Sequence, residues 1–304
     1  MQLPSRREAL RASMAGVMSM GVGGGTASGS EIPARAGGPR FKIGNCGYSY
    51  RKYLQDRNQP MTYAGFLEAS AQMDLDGVEL TSYYFPSPVK LADIHRLTRQ
   101  AFLLGLEVCG TAVGNNFCLP PGEERARQIA QVRQWIGYAA DMGARQIRIF
   151  AGGLPREPRV DEDTGRRWVV ECLQECLPTA EERGVILALE NHGGVVATAD
   201  GMLAILEAIR SEWLAMKWDC GNFRTADPYA DLMRTVSYAV TTHIKTELTA
   251  PDGKKRPVDL DRVLGMLRHA GYRGYLILEY EAEEEPKVAV PRILADLRRR
   301  AASA

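Results

Sequence analysis

Val185-Ile186-Leu187-Ala188-Leu189-Glu190-Asn191-His192 is a run of five apolar residues closed by a carboxylate, an amide and an imidazole. A run this short and this apolar suits a strand buried on both faces, as in a parallel sheet. Seven further runs have the same character: Phe41–Cys46, Gly77–Thr81, Leu106–Ala112, Gln146–Ala151, Ala215–Asp219, Val240–Lys245 and Tyr275–Tyr280. Between them the apolar residues recur at helical spacing. Examples are Phe66, Ala69 and Met73, then Ile129, Val132, Trp135, Ile136 and Ala139, then Leu203, Leu206 and Ile209, then Val263, Leu264, Leu267 and Ala270. Gly143, Gly184 and Gly271 stand where helices of this kind end, just before the next strand.

Eight strand–helix units in about 250 residues predict an α/β fold, a single-domain (β/α)8 TIM barrel. The competing doubly wound sheet would carry a G-x-G-x-x-G turn after its first strand, and Gly44-Asn45-Cys46-Gly47-Tyr48 does not match it. The 304 residues hold 38 Lys and Arg against 37 Asp and Glu, a net charge of +1, with 45% apolar residues. That excludes a disordered chain and a nucleic-acid binder that works through a basic field. No run approaches the roughly 20 apolar residues of a membrane span.

The first thirty residues read differently. Arg6-Arg7 precedes a mildly apolar, uncharged stretch from Ala12 to Val22, followed by the small residues Gly23 to Gly29. A charged start, a short apolar core and small residues make a signal peptide, and the paired arginines point to the twin-arginine route. The expected organisation is therefore a signal peptide over 1–30, a linker over 31–40 and the barrel over 41–300. The mature chain would be exported to the periplasm or another extracytoplasmic space. Loss of Arg6, Arg7, Arg11 and Glu8 would take a net +2 from the chain's +1. Six cysteines at 46, 109, 118, 172, 176 and 220 form no C-x-x-C array and read as small buried hydrophobes.

In a barrel, chemistry sits where the strands end. Glu190, Asp219 and Glu279 each close an apolar run, and His243 lies in the run between the last two. Three unpaired carboxylates at one mouth repel each other, and a divalent cation removes that repulsion. Three carboxylates and an imidazole form a hard-to-borderline donor set that suits Mn²⁺ best, with Mg²⁺, Co²⁺, Fe²⁺ or Zn²⁺ also admissible. The competing account is a set of strand-end salt bridges to arginines such as Arg148.

The order Glu190, Asp219, His243, Glu279 has gaps of 29, 24 and 36 residues (219 − 190, 243 − 219, 279 − 243). With the surrounding Leu-Glu-Asn-His-Gly-Gly, Trp-Asp-Cys-Gly-Asn-Phe, His-Ile-Lys-Thr-Glu and Leu-Glu-Tyr-Glu, it resembles the xylose-isomerase-like TIM barrels of the sugar phosphate isomerase/epimerase family. The resemblance implies that Glu190 and Glu279 are metal ligands that also serve as the catalytic acid/base pair, and that Asp219 and His243 are ligands only. It implies a sugar or sugar-phosphate isomerase or epimerase that moves a proton next to a carbonyl through a metal-stabilised enediolate. Ketose epimerases of the family carry a substrate-binding His three residues past the strand-6 Asp, where this chain has Asn222.

Substrate contacts are expected from His192, Lys245, Asn222, Glu79 and Asn116. Lys245 shares a strand face with His243, and His192 lies two residues past Glu190. Tyr83, Tyr84 and Phe85 could stack on a sugar or pack the barrel. His95 and His269 fall on helices as surface residues. The partner is a small carbohydrate, and barrels of this kind often form homodimers. Two alternatives stay open: a metal-dependent lyase or dehydratase on a sugar derivative such as a 3-keto-glycoside, and a catalytically silent sugar-binding barrel. A zinc endonuclease relative would need more than four histidines. No G-x-S-x-G elbow supports a serine hydrolase, and a glycosidase would leave Asp219 and His243 without a role.

Overall fold

The computed structural model describes residues 40–303, apart from 57, 59, 60 and 251. The export signal read over 1–30 lies outside the described residues, as does nearly all of the 31–40 linker.

Eight parallel strands make the barrel: β1 (Lys42–Cys46), β2 (Gly77–Thr81), β3 (Glu107–Ala112), β4 (Gln146–Ile149), β5 (Ile186–Glu190), β6 (Leu214–Asp219), β7 (Ala239–His243) and β10 (Tyr275–Leu278). Between β7 and β10 a short antiparallel hairpin, β8 (Glu247–Thr249) and β9 (Lys255–Pro257), rises from the barrel's C-terminal rim. The α-helices among the described residues are α1 (Arg51–Leu54), α2 (Tyr63–Gln72), α3 (Leu91–Leu103), α4 (Glu123–Asp141), α5 (Glu162–Arg183), α6 (Ala199–Ala208), α7 (Pro228–Thr235), α8 (Leu260–His269) and α9 (Pro286–Ala302).

Sheet order follows chain order, and β1 pairs with both β2 and β10. Closure between β7 and β10 runs through Ile244, whose N–H donates to Ile277 O at 2.8 Å and whose carbonyl accepts from Glu279 N at 3.1 Å.

The strands carry little local information beyond hydrophobicity, but the helix starts are signalled residue by residue. Thr62, Asp161, Thr198, Asp227 and Asp259 each accept a hydrogen bond from a backbone N–H of the helix they precede, satisfying donors the helix leaves open. Gly184 ends α5 at φ 64°, a left-handed conformation that glycine adopts without a Cβ penalty.

All eight expected strands form. Five of them end on the last residue of their apolar run, whereas β4, β7 and β10 stop two residues short of it. The expected Gln146–Ala151 strand stops at Ile149 because Asn115 takes over Phe150: its amide donates to Phe150 O at 2.8 Å and accepts from Phe150 N at 2.9 Å. A side chain replaces the ladder there.

Apolar residues pack mainly between the strands and the surrounding helices. A separate small apolar group of Cys46, Cys109 and Ile277 is buried, with Tyr48 and Tyr275 against it. Above it the interior is polar. All six cysteines are buried and free. No helix among the described residues is long and apolar enough to cross a membrane.

Candidate metal centre

Glu190 is the last residue of β5, Asp219 of β6 and His243 of β7, and Glu279 follows β10 directly. Alternation along each strand turns all four inward at the same height. One ligand atom from each lies within 4.8 Å of the others, and all four residues are buried. His243 Nδ1 stands at the middle, 3.4 Å from Glu279 Oε2, 3.5 Å from Glu190 Oε1 and 3.8 Å from Asp219 Oδ2. His243 Nδ1 and Asp219 Oδ2 are buried without a hydrogen-bond partner. Unpartnered buried polar atoms are rare, and two of them facing each other beside two carboxylates match the donor set of a divalent cation.

The electrostatics carry the same signature. Burial, together with Glu190 and Glu279, pushes Asp219 up to about 8 although Lys245 pulls the other way. Burial works against charging His243, but Glu279 and Glu79 outweigh it and hold the imidazole well above its usual value. Glu190 goes the opposite way. Burial raises it, but His243 and Arg148 hold it well below the ordinary carboxylate range.

The two glutamates are not equivalent. Glu190 is held at both oxygens, Oε2 by Arg148 Nε at 3.2 Å and Oε1 by Asn222 Nδ2 at 3.1 Å. Every ion pair of Glu279 runs through Oε2, to His243 Nδ1 and to Lys245 Nζ at 2.9 Å. Lys245 also pairs with Glu281 and lies 3.7 Å from Asp219 Oδ2. Its path over the rim needs Gly221, where a Cβ would lie 3.0 Å from Lys245 Cδ and 2.8 Å from Glu247 O.

Of the expected substrate contacts, Lys245 and Asn222 reach the ligand cluster. His192 is exposed at the mouth, with its ring 4.5 Å from that of Phe150. Arg148 also lies over the Phe150 ring, at 3.7 Å, and donates to Tyr83 Oη at 3.1 Å. Tyr83 is 41% exposed, so it rims the mouth, whereas Phe85 packs against Trp135.

Two of the expected contacts have partners within the protein. Asn116 faces its own loop: its amide donates to Gly153 O at 3.1 Å and accepts from Cys118 N at 2.9 Å. Glu79 has no exposed surface and lies beneath His243, with Oε1 2.8 Å from His243 Nε2 and Oε2 paired to Lys217 Nζ. Glu79 thus has no surface to offer, and Asn116 remains partly exposed with both ends of its amide engaged. His95 and His269 are exposed on α3 and α8, as expected.

The sequence reading gave no role to Lys217, Asn191 or Glu281, and it named Arg148 only as a salt-bridge partner. Arg148 does pair with Glu190, and Lys245 pairs with Glu279 and lies near Asp219, so ion pairs reach all three carboxylates but leave His243 Nδ1 and Asp219 Oδ2 without a hydrogen-bond partner. A signal was present for Glu281, which lies two residues past Glu279 and so shares its face.

No curated protein matches the chain in sequence. Solved structures do match its fold. A 3-keto-D-glucoside 4-epimerase from E. coli is 19% identical, with 86% of this chain covering 100% of that one at a TM-score of 0.68. A D-psicose 3-epimerase solved in the presence of D-fructose is 18% identical, with 86% and 97% covered and a TM-score of 0.68. The IolI protein, whose structure holds a bound zinc atom, is 16% identical, with 86% and 96% covered at a TM-score of 0.68. At such identities the likeness is one of fold. The model of the xylose isomerase-like TIM barrel family matches residues 67–300, well over half of the chain, and the protein belongs to that family.

Proposed function

We propose that this protein is a divalent-metal-dependent isomerase or epimerase acting on a sugar by proton transfer next to a carbonyl. The observation that carries the reading is the buried cluster of Glu190, Asp219, His243 and Glu279 with its two unpartnered, mutually facing atoms. The epimerases among its structural neighbours support the same reaction class.

Those four residues would hold the ion, with Mn²⁺ as the first choice and Zn²⁺, Mg²⁺, Co²⁺ or Fe²⁺ as alternatives. Bound there, a divalent ion would supply positive charge that acidifies the C–H next to a substrate carbonyl. Glu279 takes that proton, because its contacts use Oε2 and leave Oε1 for the substrate. Lys245 donates toward the developing oxyanion from beside Glu279. Asn222 and His192 border the space the substrate would fill.

Arg148 favours a second reading. An epimerisation that delivers the proton from the opposite face needs Glu190 as partner acid, and Arg148 and Asn222 hold both of its oxygens. A reaction with a single base, such as isomerisation through one shuttling carboxylate or elimination from a 3-keto-glycoside, needs Glu279 alone.

Metal content by plasma emission spectrometry, on the wild type and on Glu190→Gln and Asp219→Asn, tests the reading. About one divalent ion per chain, lost in both variants, supports it. Ketoses, keto-glycosides and sugar phosphates are then screened for α-proton exchange in D₂O, where exchange without epimerisation selects the single-base reading. A wild type that holds no metal after Mn²⁺ reconstitution overturns it in favour of a silent sugar-binding barrel. The twin-arginine stretch supports work outside the cytoplasm, and the double variant Arg6→Lys/Arg7→Lys should keep the protein in the cytoplasm on cell fractionation.

A further inference from the structure

Beneath the four clustered side chains lies a second polar layer, formed across the barrel rather than along it. Glu79 on β2 and Lys217 on β6 are not on neighbouring strands, so their side chains meet only through the interior. Both are fully buried. Removing two charges from water costs several kcal/mol per ion, and a well-packed apolar pair of the same size is often as stable or more so. A stability role alone therefore does not account for this ion pair.

We propose that Glu79, anchored by Lys217, is the positioning residue that holds the His243 imidazole with its proton on Nε2 and its lone pair on Nδ1. The inference rests on the metal-site reading above. Each oxygen of Glu79 is accounted for. Oε2 accepts from Lys217 Nζ and from Gln146 Nε2 at 3.4 Å. Oε1 accepts from the Cys46 thiol at 3.4 Å and faces His243 Nε2 at 2.8 Å.

A carboxylate supplied with donors at every other contact can only accept from the imidazole, so Nε2 carries the N–H. In the neutral ring Nδ1 is then the bare nitrogen, and it is the atom that faces Glu190, Asp219 and Glu279 without a hydrogen-bond partner. Lys217 and Gln146 fix the far oxygen so that the near one stays turned to the ring. Gly110 leaves the room this needs, since a Cβ there would lie 1.6 Å from Gln146 Nε2. Partners behind a ligating histidine typically change metal affinity by about 10–100-fold.

The test uses the metal-stripped chain, titrated with Mn²⁺ by calorimetry, and ¹⁵N-histidine NMR of the Zn²⁺-loaded protein. With four histidines in the chain, the spectrum is resolvable. In the wild type, His243 should show metal on Nδ1 and a slowly exchanging proton on Nε2. Glu79→Leu/Lys217→Met replaces the ion pair by an apolar pair. It should melt no lower than the wild type without metal, yet bind Mn²⁺ about 10–100-fold more weakly. Glu79→Gln/Lys217→Met keeps an amide oxygen for Nε2–H but lacks the ammonium anchor, and it should fall between the two.

Wild-type Mn²⁺ affinity in the folded apolar variant overturns the proposal, as does a His243 proton on Nδ1 in the Zn²⁺-loaded wild type. Full recovery in the amide variant removes Lys217 from it. A wild type that binds no metal is a different failure and strikes the metal reading itself.

Discussion

At the scale of single residues, the two glutamates divide the work by what surrounds them. Arg148 and Asn222 restrain Glu190, while Glu279 keeps one oxygen outside its ion pairs. Glu279→Gln should therefore lose proton exchange at the substrate carbon by at least about 10²-fold, with metal retained at lower affinity. Arg148→Met separates the two readings. Freeing Glu190 should raise the ratio of epimerisation to simple exchange if Glu190 is the second acid, and it should leave that ratio unchanged for a one-base reaction. The measurement is ²H incorporation against epimer yield by NMR. The proposed ligand set was legible because its three carboxylates each close an apolar run and its histidine lies in the run between two of them, which is a local pattern. The pairing of Glu79 with Lys217 was not. Lys217 sits inside the run Ala215–Asp219, and nothing local says that β2 faces β6 across the interior.

At the scale of elements, two asparagines finish what the strands leave open. Asn115 extends β4 past its last ladder bond, and Asn191 does the same for β6, donating to Asp219 O at 3.0 Å and accepting from Asp219 N at 2.9 Å. Each amide copies the donor and acceptor of a missing strand neighbour. Because Asn191 holds the backbone of a proposed ligand, Asn191→Ala leaves a buried N–H and C=O unpaired. It should cost about 2–6 kcal/mol in urea unfolding, at about 1–3 kcal/mol per orphaned group. It should also weaken Mn²⁺ binding, whereas Asn115→Ala should destabilise by a similar amount with little effect on the metal. Equal losses of affinity in both would refute a local role for Asn191. Strand identity and five of the eight C-terminal strand ends were readable from hydrophobicity alone, but the end of β4 was not, because the Asn115 amide takes the ladder position there and a single run does not reveal its partner.

At the scale of the whole molecule, the barrel gathers buried charge at one end of its strands, where the proposed cation would sit. Glu190, Asp219 and Glu279 converge with two cations, Arg148 and Lys245, that are already paired. In the metal-free protein that convergence holds protons. Asp219 is pushed up to about 8 by burial and its carboxylate neighbours, and His243 is held well above its usual value. A cation must displace those protons before it can bind. The sign follows directly: groups with raised values release their protons more easily as pH rises, so Mn²⁺ affinity should climb from pH 6 to pH 8 and flatten once Asp219 is ionised. Calorimetry in buffers of different ionisation enthalpy should detect net proton release at pH 6.5 and less at pH 8.5. The same coupling reaches stability. A cation at 100 times its dissociation constant adds about 2.7 kcal/mol to the folded state, and at about 2–4 °C per kcal/mol for a domain of roughly this size, Tm should rise by about 5–10 °C. At a fixed Mn²⁺ concentration the rise should be larger at pH 8 than at pH 6, because affinity is greater there. Asp219→Asn removes both a ligand and the group that titrates near 8, so it should abolish the Mn²⁺ shift at either pH. A shift that persists in that variant would place the stabilising ion elsewhere in the molecule.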